Sequence, residues 1–180
     1  TDRLVGKRQM CIRDRCVALS SGTSAVMYSL INIMSQGDNF VTANQLYGGT
    51  YTMFDNILPE YGINSKKVDI TDLEAVEAAI DEKTRAIYCE TITNPGLVVA
   101  DISALADIAH SKGIPLIVDA TFTTSAILKP FEYGADIVVY SLTKWMSGHG
   151  RVIAGAVIEK GGFDWGNGNF PLYDKPDTSY

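Results

Sequence analysis

Ile137-Val138-Val139-Tyr140-Ser141-Leu142-Thr143-Lys144-Trp145-Met146-Ser147-Gly148-His149-Gly150 sets an apolar run directly before two hydroxyls and a lysine, with glycines following. It reads as a buried strand that delivers Lys144 to a loop. Most lysines are solvated surface charges. A lysine at the carboxyl end of a strand also lies where open α/β sheets bind their ligands. Neighbouring segments bear on the choice.

Immediately upstream, Pro115-Leu116-Ile117-Val118 is a fully apolar strand ending in Asp119. A carboxylate there is costly unless paired, so Asp119 is either a functional group or the cap of the following turn. Arg85 to Cys89 is another strand, leading into the polar loop Glu90-Thr91-Ile92-Thr93-Asn94-Pro95-Gly96. Asn39 to Ala43 is a strand before Leu46-Tyr47-Gly48-Gly49-Thr50, where Thr50 caps a helix running to about Tyr61. Tyr47 reads as core packing or as an aromatic platform for a flat ligand, with core favoured on this segment alone. Val17-Ala18-Leu19 precedes Ser20-Ser21-Gly22-Thr23-Ser24, whose hydroxyls and glycine suit the start of a helix over Ala25 to Met34. Free N–H groups at such a start favour an anion, although a plain capped helix explains the residues equally well.

Ile63 to Val68 is a further strand. Thr71 or Asp72 opens the next helix, with Glu74 placed for a capping box and Leu73, Val76 and Ile80 on one face. Asp101 caps a helix through Ile102, Leu105, Ile108 and Ala109 that stops near Lys112-Gly113. Val152 to Ile158 is another apolar run. Gly161 to Tyr180 has no helical period and reads as a long loop. Strands alternating with helices predict an α/β fold, a mostly parallel sheet with helices on both faces. Gly22, Tyr47, Asn94, Asp119, Ser141, Thr143 and Lys144 then fall at or just after strand ends, on one edge of that sheet.

Composition narrows the function. Of 180 residues, 46% are hydrophobic and 20% charged, which fits a globular core and argues against disorder. The net charge of −6 speaks against a nucleic-acid partner. No apolar segment is long enough to span a bilayer, and no signal-peptide core is present, so a cytoplasmic location is expected. Three cysteines are too few for a disulfide framework or a four-cysteine metal site, so no metal is expected. The dinucleotide, P-loop and zinc-protease motifs are missing. Residues 1–15 stand apart: five basic residues against two acidic ones give +3, leaving −9 for the rest. They lack a helical or strand period, resemble translated adapter sequence, and are expected to be a non-native or disordered head. Residues 16–180 are expected to form one domain.

Together these residues resemble the Cys/Met-metabolism family of pyridoxal-phosphate enzymes, a branch of the aspartate-aminotransferase-like fold (fold type I), from about Val17 to Tyr180. The resemblance implies pyridoxal 5'-phosphate as cofactor and a role for each position. Lys144 would bond covalently to the cofactor aldehyde and later move protons. Asp119 would pair with the pyridine nitrogen and keep the ring an electron sink. Tyr47 would stack on the ring, and Asn94 would bond its phenolic oxygen. The N–H groups of Gly22 and Thr23 and the hydroxyls of Ser141 and Thr143 would hold the phosphate. Lysine attacks an aldehyde only when deprotonated, which dry, cationic surroundings favour.

Ile92 in Glu90-Thr91-Ile92-Thr93-Asn94-Pro95, Thr143-Lys144-Trp145, and the closing Gly162-Phe163-Asp164-Trp165 to Pro176-Asp177-Thr178-Ser179-Tyr180 resemble the O-acetylhomoserine sulfhydrylase branch. That branch implies γ-replacement on O-acetyl-L-homoserine by sulfide or a thiol, giving homocysteine or methionine, in a homo-oligomer, usually a tetramer. The γ-lyase and cystathionine γ-synthase branches are the enzymatic alternative, and a non-catalytic α/β interaction domain is the alternative of another class. Ala120 and Arg151 depart from the family pattern and bear on substrate preference. The family's N-terminal segment and its substrate-binding arginine have no counterpart here, so the chain is expected to be an internal fragment.

Overall fold

The computed structural model describes residues 15–174. Residues 1–14 of the expected head and the Pro176–Tyr180 motif lie outside them. Seven strands form one sheet in the order β1-β7-β6-β5-β4-β2-β3. They are β1 (Arg15–Leu19), β2 (Asn39–Ala43), β3 (Asn64–Val68), β4 (Thr84–Glu90), β5 (Leu116–Asp119), β6 (Ile137–Ser141) and β7 (Gly155–Glu159). From β3 to β6 every pairing is parallel, whereas β7 pairs antiparallel with both β6 and β1. No crossover helix separates β6 from β7, so the chain returns beside β6 in the opposite direction. Arg15, grouped by sequence with the head, is the first residue of β1 and sits opposite Glu159.

Every residue of β2 is buried, as are all of β4 but Arg85 and the apolar residues of β5 and β6. Successive strand residues point to opposite faces, so burial without alternation means that both faces of the central sheet are covered. Helix α1 (Gly22–Ile31) packs on β6 and β7, and α4 (Ile102–Ser111) on β4 and β5. Helix α2 (Gly48–Thr52) continues through one π turn, Met53–Ile57, and one 3₁₀ turn, Leu58–Tyr61, before Gly62. Phe54 stands edge-on to Phe40 and to Tyr88, with ring centroids 4.7 and 5.1 Å apart, anchoring this segment on the sheet.

The caps follow the sequence in part. Ser21 accepts from Ser24 N–H, and Asp101 from Ala104 N–H. Helix α3 (Leu73–Ala78) is capped by Asp72 through Ala75 N–H, and Thr71 instead bonds Asp69, so the expected Thr71–Glu74 box does not form. Thr50 is buried inside α2 rather than capping it; the helix starts at Gly48, three residues earlier than a Thr50 cap implies, after Tyr47. The loop after Gly161 is more anchored than its composition suggests. Trp165 packs against Phe163, Phe170 and Tyr173 at 4.6–5.5 Å, Phe170 is fully buried, and Pro171–Asp174 makes a short helical turn. None of the helices of the described residues is long and apolar enough to cross a membrane.

Candidate active site

A cavity of about 730 Å³ opens over the carboxyl ends of the central strands, and Gly22, Thr23, Tyr47, Asn94, Asp119, Ser141, Thr143 and Lys144 all line it. Residues 122 positions apart in sequence are brought together because the parallel strands end on one side of the sheet.

One end is the start of α1. Ser21 takes two of its first-turn donors, Ser24 N–H through Oγ and Ala25 N–H through the backbone carbonyl. The N–H groups of Gly22 and Thr23 keep no partner among the described residues. Two free donors at the positive end of a ten-residue helix suit a phosphate. The approach to β6 is close: a Cβ on Gly22 would lie 2.4 Å from Ser141 Cβ. Gly155 of β7 is equally constrained, since a Cβ there would stand 2.0 Å from Ser21 O.

Asp119 lies at the base of the cavity, at the last position of β5. Thr121 N–H donates to its Oδ1 at 2.8 Å, and the fully buried Tyr88 hydroxyl donates to its Oδ2 at 3.3 Å. Burial raises its carboxyl above the ordinary range, against the opposing effect of these donors. A cationic ring nitrogen would favour its ionised form. Thr121 was not singled out by sequence; its Oγ1 also accepts from Ser141 N–H at 2.7 Å.

Tyr47, which its own segment favoured as core packing, is 45% exposed and lines the cavity. Its backbone N–H donates to Glu90 Oε1 at 2.7 Å, and Asn94 N–H donates to Glu90 Oε2 at 3.1 Å. Glu90 is thus a site residue that sequence reasoning passed over. It is buried beside Asp119, its register partner across β4 and β5. Burial pushes its carboxyl up to about 7, helped by the neighbouring Asp119 and opposed by the two N–H donors.

Lys144 sits in the turn after β6, its N–H donating to Ser141 O at 3.3 Å and its carbonyl accepting from Gly148 N–H at 3.0 Å. The residue is exposed, so the described residues do not by themselves provide the dry surroundings expected for it. Thr143 lines the cavity and also braces the turn. Its Oγ1 accepts from Ala154 N–H at 3.1 Å and donates to Ala154 O at 3.3 Å, which staples the lysine turn to the segment leading into β7.

This donor set fits a phosphorylated pyridine aldehyde: free helix N–H groups at one end, a buried carboxylate at the base, an exposed aromatic face and an amine. The comparisons agree. The family model described as Cys/Met metabolism PLP-dependent enzyme matches residues 8–173. O-acetyl-L-homoserine sulfhydrylase of Leptospira meyeri is 44% identical over 164 residues, covering 91% of this chain and 37% of that protein. A crystal structure from Campylobacter jejuni, described as an O-acetylhomoserine (thiol)-lyase with pyridoxyl-lysine-5'-monophosphate, superposes with a TM-score of 0.89 at 38% identity, over 92% of this chain and 41% of that one. Cystathionine gamma-lyase from Lactobacillus plantarum complexed with L-serine gives a TM-score of 0.76 at 41% identity, over 81% and 38% of the two chains. The chain therefore spans well under half the length of these relatives.

Proposed function

We infer the function from one premise: the chain belongs to the Cys/Met metabolism family of PLP-dependent enzymes. The proposed reaction is γ-replacement on O-acetyl-L-homoserine, in which sulfide or a thiol takes the place of acetate to give homocysteine or methionine. One observation carries the reading, the convergence of all eight candidate residues on a single cavity. The substrate comes from the named activity of the Leptospira meyeri relative.

Pyridoxal phosphate, when bound, supplies the electron sink for charge developing at the substrate Cα. The chain supplies the rest. Gly22 and Thr23 N–H would hold the phosphate together with the hydroxyls of Ser141 and Thr143, and Thr143 also supports the turn. Asp119, steadied by Thr121 and Tyr88, pairs with the pyridine nitrogen. Tyr47 stacks on the ring and Asn94 bonds its phenolic oxygen. Lys144 Nζ would hold the cofactor covalently until the substrate amine displaces it, and the freed amine would then take the Cα proton and a Cβ proton so that acetate leaves Cγ, returning protons to Cβ and Cα once the sulfur nucleophile has added at Cγ. Cytoplasmic location and a homo-oligomer belong to the same proposal and rest on the resemblance.

Assaying the full-length protein with O-acetylhomoserine plus sulfide, against cystathionine and methionine as substrates, tests the reading. Preferred turnover of cystathionine or methionine would replace it with the γ-lyase reading, which the Lactobacillus plantarum structure favours. Failure of pyridoxal phosphate to bind in equilibrium dialysis would leave a non-catalytic interaction domain.

A further inference from the structure

Glu90 is the one buried carboxylate at the site to which the proposed reaction gives no role. Its surroundings are specific. The carboxyl group sits at the end of β4, 6% exposed, and each oxygen accepts from a different loop. Oε1 takes the N–H of Tyr47, the residue that precedes α2, and Oε2 takes the N–H of Asn94, four residues further along the chain. Above about pH 7, where this carboxyl ionises, both oxygens are acceptors with no proton of their own to place. Asp119 is its register partner, and Thr91 N–H donates to Asp119 O at 3.0 Å, so the loop carrying Asn94 is tied to β5 at its start and to Glu90 further along.

We propose that Glu90 is a positioning residue for the cofactor ring, its two carboxylate oxygens setting the separation of the loop that carries the stacking Tyr47 from the loop that carries Asn94. The inference rests on the pyridoxal-phosphate reading above. Glu90 touches neither substrate nor cofactor in this role; it acts through two backbone amides. A glutamine at this position would turn an N–H₂ donor toward one of those N–H groups and release one loop. The phosphate end, built from α1 and β6, shares none of these bonds.

The test compares wild-type full-length protein with Glu90→Gln and Glu90→Asp at about pH 8, where Glu90 is ionised. It reads pyridoxal-phosphate affinity by equilibrium dialysis, induced visible circular dichroism per bound cofactor, and stabilisation of the apoprotein against thermal unfolding by inorganic phosphate. Glu90→Gln is expected to bind pyridoxal phosphate about tenfold more weakly, as loss of a charge-assisted hydrogen bond predicts. It is also expected to show reduced dichroism per bound cofactor while keeping the response to inorganic phosphate. Glu90→Asp, charged but one methylene shorter, is expected to fall between wild type and Glu90→Gln. Unchanged affinity and dichroism in Glu90→Gln would overturn the proposal, as would a parallel loss of the phosphate response, which marks a merely structural role. If Glu90→Gln does not fold, wild-type dichroism in Glu90→Asp overturns it instead. Wild-type protein that binds no pyridoxal phosphate removes the cofactor reading itself, and this inference with it.

Discussion

The backbone N–H of Ser141 donates to Thr121 Oγ1 at 2.7 Å. Because Thr121 N–H in turn donates to Asp119 Oδ1, one threonine links the carboxylate at the cavity base to the strand end beside Gly22. Thr121→Val keeps the shape and the N–H but removes the acceptor, leaving Ser141 N–H unpaired in a partly buried position. The expected cost is about 1–3 kcal/mol. Urea unfolding of the apoprotein should show it. Pyridoxal-phosphate affinity should fall with it, because the Ser141 end moves relative to Asp119.

Gly22 is fixed by space rather than by φ. A Cβ there would stand 2.4 Å from Ser141 Cβ and 2.8 Å from Ser141 Cα, and the latter is backbone that cannot swing aside. Gly22→Ala should push the start of α1 off β6, at an overpacking cost of about 1–3 kcal/mol. Inorganic phosphate should then no longer raise the thermal midpoint of the apoprotein. A retained phosphate response would mean that Gly22 and Thr23 N–H are not the anion site.

What the chain reveals before folding is uneven, for identifiable reasons. The strands, the sheet edge and seven of the candidate residues were legible because apolar runs ending in polar or glycine residues are local signals, whereas Thr23 and the role of each residue came from the family resemblance. Glu90 was not, since its partner Tyr47 lies 43 positions away and only the pairing of β2 with β4 brings the two together. The reversal of β7 was hidden for the same reason: an apolar run does not encode direction. Thr143 carries a contact that its place in the sequence does not announce. Its hydroxyl bonds both the N–H and the carbonyl of Ala154, a contact across a loop that sequence spacing does not specify. The aromatic tail shows that side-chain packing can order a segment with no period.

Lys144→Ala should separate holding the cofactor from reacting with it. The free N–H groups of Gly22 and Thr23, Asp119 and the Tyr47 face do not depend on the amine, so noncovalent pyridoxal-phosphate binding should persist at reduced affinity. Borohydride treatment followed by peptide mass spectrometry should label Lys144 in the wild type and nothing in the variant. Turnover should drop by about 10²–10⁴-fold or more, the range for loss of a general base. Labelling of another lysine would move the catalytic assignment away from the turn after β6.

Glu90 also predicts a pH dependence of stability. Burial raises its carboxyl to about 7 from an ordinary 4.5, so the folded chain binds this proton more tightly than the unfolded chain. A raised acid contributes stability that is full below about pH 4.5 and is lost as pH rises through about 7, by about 3 kcal/mol for this shift. Asp119 is raised by burial too and lies next to it, so the two carboxyls titrate as a pair and the loss is shared between them. Glu90→Gln removes one member. The variant's apoprotein should therefore gain on the wild type between pH 5 and pH 8 in urea unfolding, whatever fixed cost the lost loop contact adds at every pH. Parallel stability curves for the two proteins would show that Glu90 is ionised throughout, held so by Tyr47 and Asn94 N–H strongly enough to outweigh its burial.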